Sequence, residues 1–148
     1  MLSATTGSVD SNFLARARGF LVTAEKLAND PEAFAPAVRL LILQASELAL
    51  KALSAVHNIK RGHDLKELMD HLKANNAVDG IAWAMLQDQV LTLTSPENYN
   101  VLRYPKDNFL FWERMIPQET KILLNAGRTI VEICQVQIDA RSKAAKTS

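Results

Sequence analysis

The sequence predicts an all-α protein, an antiparallel up-and-down bundle of four to five helices. Three observations predict it. Apolar residues recur at three- and four-residue spacing through most of the chain. No stretch of useful length alternates apolar and polar residues as a half-buried strand would. The periodic segments are separated by short breakers such as "NDP" at 29–31 and the asparagine pair at 75–76.

Residues 1–9 are small and polar and are expected to form a loose arm ahead of a bundle spanning 10–141. Asp10 or Ser11 is the expected cap of a first helix, with Phe13, Ala17, Phe20, Ala24 and Leu27 on its inner side. A second helix, about 35–57, is apolar on most sides through Val38, Leu40, Leu41, Ile42, Leu43, Leu48, Leu50 and Leu53. Such a helix is either central in its domain or shares a face with another subunit. Glu47 and Lys51, four apart in the favourable order, suggest a surface pair that marks the wet side.

The stretch "KRGHDLKELMDHL" at 60–72 opens a short third helix. Asp64 is placed as an N-cap, with Glu67 three residues later in the position of a capping-box acid. Leu65, Leu68, Met69 and Leu72 form its apolar stripe, and Asn75 and Asn76 close it. A fourth helix is expected over 79–94, with Ile81, Ala82, Met85, Leu86, Val90 and Leu93 facing inward. "SPENYNVLRYPKDNFLFW" at 95–112 breaks the periodicity with two prolines. A last helix follows from Pro117 to about Arg141, its core side marked by Leu123, Ala126, Ile130, Ile133 and Val136, before a basic frayed tail at 142–148.

Composition narrows the function. The 148 residues fit one domain, since domains typically hold about 100 to 200 residues. At 48% apolar the chain can bury a proper core. A net charge of +1 excludes a globally basic nucleic-acid binder but leaves room for a local basic face. The single Cys134 forms no intramolecular disulfide and falls in an apolar helical pattern, as a small core residue in a reducing compartment would. No signal peptide and no membrane span stand out, so a cytoplasmic location is expected.

The candidate chemistry sits in two places. His57, His63 and His71 are the three histidines, with Asp64 and Asp70 nearby, but no metal-ligand spacing is present and no metal or cofactor is implied. Arg61, His63 and His71 are residue types that a metal-independent ribonuclease could use as acid, base and phosphorane stabiliser. Lys66 precedes His71 by five positions, which sets their side chains about 140° apart on a helix. A well-capped helix entry with solvated histidines is the simpler account. In the 95–112 segment, Tyr99, Tyr104, Phe109, Phe111 and Trp112 are five of the nine aromatics, with Arg103 and Lys106 among them. Tyrosines stack on bases and arginines pair with phosphate. The three larger apolar rings, Phe109, Phe111 and Trp112, are more simply accounted for as pins that hold the segment on the bundle.

The order "ARGFLVTAEKLAND", "AVRLLILQASELALKAL", "GHDLKELMDHL" and "YNVLRYP" resembles the HEPN domain over about residues 13 to 140. The resemblance implies a bundle of four or five helices that dimerises through helical faces. It further implies association with nucleotides or RNA, or with a nucleotidyltransferase in toxin–antitoxin or defence modules. The family's metal-independent ribonucleases carry an arginine, four to six residues, then a histidine. None of the eight arginines here has a histidine at that distance. The run from Lys66 to His71 mimics the spacing with a lysine, which lacks arginine's bidentate fork. Gly62, His63, Asp64 and Leu65 match the family's loop-to-helix stretch, and Arg103, Tyr104 and Pro105 its later loop.

The leading expectation is therefore a non-catalytic HEPN-like homodimer that binds a nucleotide, RNA end or other anion. Arg61 and Arg103 would hold phosphate, Tyr99 or Tyr104 would contact base or sugar, and His63 would add a hydrogen bond. The alternatives are an interaction module for a nucleotidyltransferase, and a divergent endoribonuclease using Arg61, His63 and His71.

Overall fold

Five helices and no strand form among the described residues, which in the computed structural model are 9–59, 62, 64–94 and 117–147. They are α1 (Val9–Ala28), α2 (Ala35–Val56), α3 (Leu65–Ala74), α4 (Gly80–Thr94) and α5 (Pro117–Thr147). Short connections between α1 and α2, and between α3 and α4, fold consecutive helices back on one another as an up-and-down bundle requires.

α2 is the hub. It packs extensively on α1 and α5 and also meets α3. Its apolarity therefore has a cause within one chain: Val38, Ile42, Ala45, Ala49, Leu50 and Leu53 are all fully buried. Leu14, Ala17, Leu21 and Ala24 of α1 meet this side, and Leu123, Ile130, Val131, Cys134 and Ile138 come from α5. Leu65, Leu68 and Leu72 of α3, with Leu86, Val90 and Leu93 of α4, complete the same core. Ser46 and Ser54 are buried in α2 and donate to the carbonyls of Ile42 and Leu50, so their hydroxyls cost the core no unpaired group.

Both ends of the α2-to-α3 unit close on asparagine. Asn58 and Asn76 take φ of 55° and 49°, the left-handed turn that asparagine tolerates. The N–H groups of Ile59 and Ala77 then reach back to Ser54 and Leu72 at 2.9 and 3.1 Å. Across the bundle, Arg141 of α5 donates to the carbonyl of Val56 at the end of α2 at 3.2 Å. Arg18–Glu132 and Arg128–Glu25 pair α1 with α5 on the surface.

Several expectations fail. Ile81 and Met85 do not face inward but are 81% and 51% exposed, and Val136 is 58% exposed. α4 and α5 rest against the bundle on narrower sides than their apolar content suggests. Glu47 is buried, and no Glu47–Lys51 ion pair forms, because α2 turns Glu47 toward the bundle while Lys51 lies at its edge. α1 begins at Val9, ahead of the expected cap. α5 continues through Thr147, since "RSKAAK" holds good helix formers and neither glycine nor proline.

Candidate functional site

The stretch from Gly62 to Leu68 is built as a tight helix entry. Asp64 is extended, and its Oδ1 accepts the backbone N–H of Glu67 at 2.8 Å, the N-cap expected of it. Gly62 is buried against the turn so formed: a Cβ there would lie 2.8 Å from Glu67 Cβ and 2.9 Å from Leu68 N. Only glycine allows the incoming chain to lie this close to the helix. α4 starts on a second cap. Asp79 accepts the Ala82 N–H at 3.0 Å and the Gln137 amide of α5 at 3.2 Å. These bonds, the one from Ala82 foremost, hold the Asp79 carboxyl below its ordinary range.

The two caps set α3 and α4 side by side, yet the helices meet over little area. Between them lies a cleft of about 410 Å³, inside the roughly 300 to 1,000 Å³ that small-molecule sites occupy. Its α3 wall is Asp64, Lys66, Met69, Asp70 and Lys73, and its α4 wall is Trp83, Gln87, Val90, Leu91 and Thr94. The floor is apolar, and Trp83 is a partly buried ring packed on the core. Lys66 and Lys73 stand two turns apart on one side with Asp70 between them. None of these three makes an ion pair among the described residues. The arrangement suits a ligand with a flat apolar part against Trp83, an anionic part at the lysines, and a donor for Asp70.

Of the residues singled out in the sequence, Arg61, His63, Tyr99, Arg103 and Tyr104 lie outside the described residues. His71 is described. It is partly exposed on α3 and is not among the cleft residues, whereas Lys66 is. The Lys66–His71 spacing therefore does not bring its two side chains together in the cleft. His57 stands at the end of α2, where burial first and Arg141 second push its pKa down. Cys134 is wholly enclosed, which drives its thiol up to about 12 and leaves it inert. No group of three or more His, Cys, Asp or Glu side chains fit to hold a metal occurs among the described residues. None of the described helices is long and apolar enough to cross a membrane.

Lys73, Trp83 and Gln87 were missed from the sequence. A signal for them exists: Lys66, Asp70 and Lys73 recur at i, i+4, i+7, and Trp83, Gln87, Val90 and Thr94 at i, i+4, i+7, i+11. Each stripe reads as an ordinary helix side until the two are known to face each other.

A helical bundle of this order, with an Asp64-capped entry to α3 beside an open cleft, defines a small all-helical domain with a candidate site between α3 and α4. The HEPN domain family model matches residues 11–137, and the chain belongs to the HEPN domain family. No curated protein and no solved structure matches it.

Proposed function

We propose that this HEPN domain is a non-catalytic module that binds a nucleotide, an RNA end or another small anion in the α3–α4 cleft. The observation that carries the proposal is the placing of Trp83 opposite Lys66 and Lys73 across one cavity. An aromatic face with two ammonium groups that make no ion pair among the described residues is the minimal set for a base and a phosphate. Asp64 and Thr94 line the cleft, and Arg61, His63, Tyr99, Arg103 and Tyr104 belong to the segments that adjoin those two residues in sequence. A ribonuclease reading gains no support from the cleft, since Lys66 borders it and His71 does not.

Thermal unfolding with a panel of nucleotides and short RNAs tests the proposal. A ligand at 100 times its dissociation constant stabilises the native state by about 2.7 kcal/mol, a rise of roughly several degrees in Tm at this size. The rise is expected in the wild type, to shrink in Lys73→Ala and Trp83→Ala, and to shrink in Arg103→Ala if that arginine reaches the ligand. Absence of any shift across the panel would sink it. The reading then favoured is an interaction module for a protein such as a nucleotidyltransferase. The outer side of α4 supports that second reading, because Ile81 and Met85 are exposed apolar side chains one turn apart and outside the cleft.

A further inference from the structure

Along the α3 wall of the cleft the charges alternate, with Asp70 between Lys66 and Lys73. From the turn at 75–79 the two helices run back at the same rise per residue. Counting outward from that turn sets Lys73 level with Trp83, Asp70 level with Gln87, and Lys66 a turn beyond Asp70. Asp70 and Gln87 are exposed, and neither side chain has a hydrogen bond or ion pair among the described residues. An acid here works against any phosphate held between the two lysines. A site for phosphate alone has no use for it.

We infer that the cleft selects guanine, with Asp70 accepting the base's two adjacent N–H donors while Trp83 carries its ring. The inference rests on the cleft's taking a nucleotide and adds which base it takes. An ionised carboxylate accepts at both oxygens and donates at neither. Two parallel N–H···O bonds to it need two donors side by side on the ligand. Among the four RNA bases only guanine offers them, at N1–H and the 2-amino group. Adenine and cytosine set one donor beside an acceptor, so the second carboxylate oxygen would face a lone pair. Uracil has a single donor between two carbonyls.

Gln87 completes the edge from the α4 wall. Its amide Nε2 donates, and the O6 of guanine is the acceptor next to N1–H. Lys66 and Lys73 lie to either side of Asp70, about 6 and 4.5 Å along the helix axis. Whichever way the nucleotide runs along the cleft, one ammonium meets its phosphate and the other lies on the side of O6. Trp83 is tolerant of any base face, so the choice among bases falls to Asp70 and Gln87.

Isothermal titration of the full chain with GMP, IMP, XMP and AMP tests the inference. GMP is expected to bind roughly tenfold to a hundredfold more tightly than AMP. IMP falls between them, because it keeps N1–H and lacks the 2-amino group. Asp70→Asn changes an exposed position and is expected to keep its helical circular dichroism. It should lose the preference for GMP and favour XMP, since its amide donates to the 2-oxo group and accepts from N1–H. A folding defect would weaken all four alike. Titration with 5′-phosphorylated GpU and ApU separates an RNA end from a free nucleotide. GpU bound more tightly than GMP assigns an RNA end, and GpU bound more weakly assigns the free nucleotide. Equal affinity for GMP and AMP overturns the inference and leaves the cleft a nucleotide site. So does a preference for GMP that survives Asp70→Asn. Failure of every nucleotide to bind overturns it together with the reading beneath it.

Discussion

At the scale of single residues, two positions carry effects that the fold makes specific. Gly62 is required by space. A methyl group there meets the backbone nitrogen of Leu68 and the Cβ of Glu67, neither of which can swing away as a long side chain would. Gly62→Ala is expected to destabilise the protein by about 1–3 kcal/mol, read as a lower midpoint in urea. An unchanged midpoint would mean that the loop does not lie on the first turn of α3. His57 is the second. Burial, then Arg141, lowers its pKa below the ordinary 6.5. The unfolded chain therefore takes up the proton first as the pH falls. The stability held in neutral His57 is complete above about pH 6.5 and is lost as pH drops through the folded-state pKa. Between pH 7 and 5 the wild type should lose more in Tm than His57→Asn does. Equal losses would show that His57 has no part in the acid sensitivity.

At the scale of elements, what the sequence makes legible depends on whether a helix has a polar side to fix its phase. α3 does. Its apolar stripe of Leu65, Leu68, Met69 and Leu72 is buried as spaced, and its Asp64 cap forms as expected. α4 does not. "GIAWAMLQDQVLTLT" has apolar residues on all sides, so Ile81 and Met85 fit an inward stripe as well as Leu86 and Val90 do. Periodicity cannot choose among such stripes; contact with α5 does, leaving Ile81 and Met85 outside. Val136 on α5 fails differently: the three-residue steps from Ile130 through Ile133 to Val136 drift around a 3.6-residue helix, off the side that buries Leu123, Ala126 and Ile130. The cleft was illegible for a different one. It depends on the separation of α3 from α4, which the Asp64 and Asp79 caps and the turn at Asn76 set together, and no spacing within either helix encodes a gap between them. The family likeness was legible because it rests on the order of short pieces along the chain, not on how they meet.

At the scale of the whole molecule, packing is uneven, and that unevenness ties stability to the proposed function. α2 is held between α1 and α5, whereas α3 touches chiefly α2, α4 leans on α5, and the two are separated by the cleft. Elements with fewer packed neighbours open below the global unfolding free energy. Amide hydrogen exchange should accordingly find Leu50 and Leu53 of α2 protected to the global limit. Leu68 and Leu72 of α3 should exchange through openings lower by about 1–2 kcal/mol or more, despite side chains that are just as buried. Leu50→Ala should cost about 2–5 kcal/mol and lower the protection of every helix. A ligand in the cleft bridges the two loosely joined helices, so it should slow exchange in α3 and α4 before it alters α1 or α2. Uniform protection across the five helices would mean that the α3–α4 edge is as firmly held as the hub, and that filling the cleft has no local opening to suppress.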